Sequence, residues 1–162
     1  MKKSVRWAIL FGILSIVITV FIFENSLQTR AISRVRSGFF VELLRPLLEL
    51  FPGIPPRLYS RVIRKTAHFA EFAALGFCLT GFFFAFPGKK RQIRFLLPPA
   101  ASLLAAVADE SIQRLSDRSA AAADVLLDCS GALCGVLLAL ACRKLRIWYR
   151  RRHRSAAPDT NK

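Results

Sequence analysis

The chain has 162 residues, 54% of them hydrophobic with 14 Phe, and its 25 Lys plus Arg against 10 Asp plus Glu give a net charge of +15. That length fits one domain, but a soluble globule so rich in apolar residues would not also carry so much positive charge. The two features separate along the chain, as they do in a multi-span membrane protein. The basic residues flank apolar runs and form no patch on a polar domain, which argues against a nucleic-acid-binding module.

Four segments are long and apolar enough to cross a bilayer. The first is residues 5–23, uncharged apart from Arg6. The start MKKSVRW resembles the charged region of a signal peptide, but FENSLQTR follows the apolar run in place of a small-x-small cleavage site. A retained span is therefore expected. The next segment, SGFFVELLRPLLELF over 37–51, puts Glu42, Arg45 and Glu49 on one narrow polar stripe of a helix. It is too short to span. An amphipathic interfacial helix on the outer leaflet, kinked at Pro46 and ended by PGIPP, fits it best, and a helix packed into the mouth of the bundle is the alternative.

Span two is expected over 66–86, span three over 93–113 and span four over 124–142. Pro98 and Pro99 fall in the first turns of span three, where a missing N–H matters least. Ser119 and the alanines after it suit the start of span four. Cys78, Cys129, Cys134 and Cys142 lie in apolar segments without metal-site spacing and read as small helix residues. The fold class is thus an all-α bundle of four membrane spans, residues 1–142, followed by a basic tail over 143–162.

Orientation follows from the positive charge. Lys2, Lys3 and Arg6 precede span one, Lys89, Lys90, Arg91 and Arg94 separate spans two and three, and Arg143, Lys144, Arg146 and the 150–154 run follow span four. Four spans put all three groups on one side, expected to be the cytoplasm, where the tail meets anionic lipid headgroups. The eight Lys or Arg of the 24–65 connection oppose this, but three glutamates accompany them and a loop of that length weighs less in the rule.

The acids carry the most information. All but Asp159 fall on the predicted outer side, and Glu71, Asp109, Glu110, Asp117, Asp124 and Asp128 gather at the outer ends of spans two to four. At helical spacing, Arg64, His68, Glu71 and Leu75 share one face of span two. Ser102, Ala106, Asp109 and Gln113 share one on span three, and Asp124, Asp128, Gly131 and Gly135 one on span four. Gly131 and Gly135 form a G-x-x-x-G pair that lets a neighbouring helix approach closely, so the acids above it should point into the bundle. A charge facing lipid costs at least a few kcal/mol. The expected result is a polar pocket, open outward, lined by His68, Glu71, Glu110, Gln113, Arg118, Asp124 and Asp128, with Asp109, Lys65 and Arg64 at its rim. Its carboxylates need positive partners: Lys65, Arg64, Arg118 and His68, or a divalent cation. A purely structural ion-pair network is the competing reading.

These residues fall into three blocks, R-K-x-x-H-F-x-E-F at 64–72, D-E-x-x-Q at 109–113 with Arg118 after it, and D-V-L-L-D at 124–128 with Gly131 and Gly135. In that order they resemble the signature of VanZ-like membrane proteins. The resemblance covers 64–138 and matches the family motif at Lys65, His68, Glu71, Glu110, Gln113, Arg118 and Asp124. Asp128 stands where the family often has Asn, and Asp117 where many members have Gly. The resemblance implies a bacterial envelope protein, its founding member being linked to teicoplanin resistance. It brings no settled catalytic activity, and it leaves any cofactor unnamed.

Three functions fit. The first is an accessory protein of the cytoplasmic membrane whose pocket binds a lipid headgroup or lipid-linked envelope precursor, with Lys65, Arg64 and Arg118 suited to phosphate. The second is a membrane-embedded hydrolase or transferase with His68 as acid or base, either alone or assisted by a metal on His68, Glu71, Glu110, Asp124 and Asp128. A proton- or cation-coupled transporter ranks third, because Phe82, Phe83, Phe84 and Phe86 close the inner half.

Overall fold

The computed structural model of the protein describes residues 2–28, 30–51, 53–86, 90–115 and 122–155. They form five α-helices: α1 (Lys2–Leu27), α2 (Arg30–Glu49), α3 (Tyr59–Ala85), α4 (Arg91–Leu115) and α5 (Ala122–Ser155), with a short 3-10 turn at Pro56–Leu58. No strand occurs among the described residues. Helices α1, α3, α4 and α5 are each long and apolar enough to cross a membrane, where a helix is one of the few ways to satisfy every backbone N–H and C=O. The chain is a multi-pass helical membrane protein.

Helix α3 is the axis of the bundle. It packs most extensively on α5, then on α1, and also on α4 and α2. The α3–α5 seam is built from residues without bulk. A Cβ on Gly135 would lie 1.8 Å from the Ala73 carbonyl oxygen, one on Gly131 2.4 Å from that of Phe69, and one on Gly76 2.2 Å from that of Ala132. Backbone therefore touches backbone, which in lipid replaces the hydrophobic driving force available in water. Phe72, Leu75, Ala106, Ala132 and Ile22 close the core beside the seam.

Contacts at the helix ends fix which ends meet. Ser4 at the start of α1 donates to the Ala85 carbonyl at the end of α3. Gly12 and Gly81 admit the rings of Phe82 and Phe11. Phe84 packs edge-on against Phe95 of α4 at 5.1 Å, and the Arg143 guanidinium of α5 lies 4.5 Å from the Phe84 ring centroid. This aromatic end carries the basic segments. The opposite end holds the C-termini of α1 and α4, the N-termini of α3 and α5, and α2.

Several boundaries differ from the expectations. Helix α3 begins at Tyr59, directly after the Pro56–Leu58 turn, so Arg61, Arg64 and Lys65 are helical residues and not a preceding loop. Charge ends a hydropathic run but does not end a helix. For the same reason α5 continues thirteen residues past Cys142, to Ser155. Arg143, Lys144, Arg146 and Arg150 to Arg152 are exposed there, and the Arg152 guanidinium lies 5.3 Å from the Trp148 ring centroid. Helix α4 begins at Arg91, which moves Pro98 and Pro99 from its first turns into its interior. The carbonyls of Arg94 and Phe95 lose their usual donors, and the Ser102 hydroxyl donates to the Pro98 carbonyl at 2.9 Å.

Helix α2 starts at Arg30, ahead of the expected Ser37, and stays helical through Pro46. Its principal neighbour is α3, with the Ser37 and Ser60 hydroxyls 2.6 Å apart. Val35, Phe39, Leu43 and Leu47 are exposed along it, while Glu42 pairs with Arg45 at 2.6 Å on the expected polar stripe.

Candidate functional site

At the end of the bundle that carries α2, polar side chains from five helices converge. The chain of contacts begins outside. An Arg36 guanidinium nitrogen donates to Asn25 Oδ1 at 3.2 Å, and Asn25 Nδ2 donates to Glu71 Oε1 at 3.0 Å. The other Glu71 oxygen lies 3.5 Å from His68 Nδ1. The i, i+3 spacing of His68 and Glu71 puts them one turn apart on the same face of α3, which is why a single helix supplies both.

A second chain runs through α4. Gln113 Nε2 donates to Asp109 Oδ2 at 2.7 Å and reaches Ser26 Oγ of α1 at 3.4 Å. Asp109 is 0% exposed and its Oδ1 has no hydrogen-bond partner among the described residues. Glu110 is 3% and Asp128 2% exposed. Asp128 of α5 lies within electrostatic reach of Asp109, Asp124, Glu110 and Glu71. The five carboxylates are thus one cluster, and gathering them where Asp109, Glu110 and Asp128 are buried requires positive partners or bound protons.

Toward solvent, Lys65 Nζ meets Asp124 Oδ1 at 2.6 Å. Arg64 is half-buried, and Arg57 and Arg61 are exposed. The site is therefore graded, with acids at its base and cations outside. Because the Lys65 side chain is 47% exposed, Lys65→Ala should lower stability by less than about 1 kcal/mol. Thermal unfolding in detergent measures this.

Lys65, His68, Glu71, Glu110, Gln113, Asp124 and Asp128 all come to this one end. Arg118 and Asp117, and the capping role of Ser119, lie outside the described residues. Asp109 corrects the sequence reading. It is not at the rim but at the buried centre, because the inward stripe of α4 continues through Ser102 and Ala106 to Asp109, all at most 1% exposed. Three contributors went unread: Asn25, Ser26 and Arg36. A signal for Ser26 exists in α1, whose buried residues Ala8, Ser15 and Ile22 recur every seven positions with Ser26 four further on. Nothing comparable marks Arg36. Among the described residues, no three His, Cys, Asp or Glu side chains are arranged to hold a metal ion.

Four membrane-length helices around a small-residue seam, with a buried polar cluster at one end, define the class: a helical membrane protein with a candidate site built into its bundle. The VanZ/LLP1 family model matches residues 11–143, and the chain belongs to that family. No curated protein and no solved structure gives a significant match to the chain.

Proposed function

We propose that this VanZ/LLP1-family protein binds the polar headgroup of an envelope lipid, or of a lipid-linked envelope precursor, at the cluster formed by Asn25, His68, Glu71, Asp109, Asp124 and Asp128. In this reading it sits in a bacterial cytoplasmic membrane with both termini inside and the cluster facing out. There it alters what a glycopeptide such as teicoplanin meets at the cell surface, the role its family resemblance suggests. The observation that carries the reading is the grading of the site. Groups able to bind are brought from five helices to one bundle end, with cations outside and acids inside, at a depth where ionisable residues are expensive to keep without a task.

A specific geometry favours a second reading. His68 Nδ1 facing Glu71 Oε2 at 3.5 Å is the arrangement of a general base with an orienting carboxylate, so the bound molecule would be hydrolysed or transferred. The two readings separate in one experiment. Protein purified in mild detergent is extracted, and its retained lipids are identified by mass spectrometry. A polar lipid should co-purify with the wild type and fall at least ten-fold in Glu71→Gln, which removes the carboxylate charge and replaces the oxygen facing His68 with an amide donor. No enrichment over the bulk membrane lipid would overturn the binding reading. Retention in His68→Gln together with loss of a product formed by the wild type would favour the enzyme.

A further inference from the structure

We infer that the site takes a zwitterionic ligand, an ammonium group joined to a phosphate ester, with the ammonium on the acids beneath and the phosphate on the cations above. This rests on the binding reading and names its ligand class. Asp109 is completely buried, it lies in the acid cluster, and its Oδ1 lacks any hydrogen-bond donor among the described residues. A buried carboxylate oxygen without a donor is costly, and a ligand N–H would supply one. Asp128, 2% exposed and within electrostatic reach of Asp109, adds a second buried acceptor beside it.

The chemistry of the donors selects an organic cation. A divalent metal needs several oxygens converging on one point, and no three acidic, His or Cys side chains among the described residues are so arranged. An ammonium is satisfied by separate acceptors at hydrogen-bond distance, which a spread cluster provides. The lysine present does not reach Asp109, since Lys65 is engaged with Asp124 at 2.6 Å near the surface.

Above the acids the charge reverses. Arg36, Arg57 and Arg61 are exposed on α2, the 3-10 turn and the first turns of α3. Arg36 is tied through Asn25 to Glu71, so one end of a short contact chain is cationic and the other acidic. Guanidinium groups suit phosphate oxygens. A purely anionic headgroup would satisfy the arginines and be repelled by the base of the site, and a simple amine would do the reverse. Only a molecule carrying both charges satisfies both layers.

The test compares short-chain phosphatidylethanolamine with phosphatidylglycerol of equal chain length, and with free O-phosphoethanolamine, by titration against the full-length protein in detergent. Phosphatidylethanolamine should bind at least ten-fold tighter than phosphatidylglycerol. That preference should vanish in Asp109→Asn, and in Asp128→Asn as a second variant should the first fail to fold. Arg36→Gln should weaken both lipids. Competition by O-phosphoethanolamine would support a headgroup available in free form, and its failure to compete would support the same class presented by a lipid. Equal binding of the two lipids by the wild type overturns the zwitterionic inference while leaving lipid binding intact. So does an undiminished preference in either folded Asp variant. Binding of none of the three probes overturns both.

Discussion

Gly135→Ala is expected to destabilise the folded bundle by about 1–3 kcal/mol, and Gly135→Leu to prevent α3 and α5 from closing. An added Cβ would sit 1.8 Å from the Ala73 carbonyl oxygen and 2.9 Å from the Phe77 amide nitrogen. Both are backbone atoms, so no side chain can rotate out of the way and the two helices must separate. Separation is not local. The same seam holds Gly131 against Phe69 and Gly76 against Ala132, and α3 carries the contacts to every other helix. It also sets the position of His68 and Glu71 relative to Asp124 and Asp128, so ligand retention should fall with stability. The control is the same substitution in α2. A methyl added at Gly38 would meet nothing within 4 Å, and Gly38 lies inside a helix, where alanine is favoured over glycine by up to about 1 kcal/mol. Thermal unfolding in detergent should thus move in opposite directions for Gly135→Ala and Gly38→Ala. Equal shifts would mean that close helix approach does not hold the bundle.

The second large effect is expected at Asn25. Asn25→Asp keeps the size of the side chain but replaces the amide nitrogen, now 3.0 Å from Glu71 Oε1, with a carboxylate oxygen. A hydrogen bond becomes a contact between two acids in a largely buried cluster that already holds Asp109, Asp124 and Asp128. One compensation exists, since Arg36 at 3.2 Å would gain a charged partner. Arg36 is exposed, and an exposed ion pair contributes up to about 1 kcal/mol. Losing a hydrogen bond to a carboxylate costs about 1.5–3 kcal/mol and the new like charge adds to it, so destabilisation should win by about 1 kcal/mol or more. Adding Glu71→Gln restores a donor–acceptor pair without the repulsion, and the double variant should recover most of the loss in a double-mutant cycle. If Asn25→Asp unfolds at the wild-type temperature, α1 is not coupled to the site through Glu71.

Much of this architecture is legible in the residues alone. Apolar runs bounded by Lys and Arg mark the four spans, because a bilayer penalises charge along a continuous length of chain. The inward faces are legible for a related reason. Polar residues recurring every three or four positions beside glycine, as in Asp124, Asp128, Gly131 and Gly135, must face protein when lipid surrounds the helix. Thus the acids of α3, α4 and α5 and the glycine pair of α5 follow from spacing alone.

What only the tertiary structure decided is where these faces meet and at what depth. Periodicity assigns a side chain to a face of its own helix but says nothing of the neighbour opposite. Asn25 and Ser26 resemble the polar end of a span, and their bonds to Glu71 and Gln113 exist because α1 packs beside both α3 and α4. Spacing puts Asp109 on the inward stripe of α4 but not at a depth, and it is the buried centre because the helices close over it. Gly76 belongs to no motif, yet it answers Ala132 across the seam. Arg36 enters the site only because α2 returns against α3. The sequence determined which groups must leave the lipid; the approach of backbones along α3 and α5 determined which of them touch.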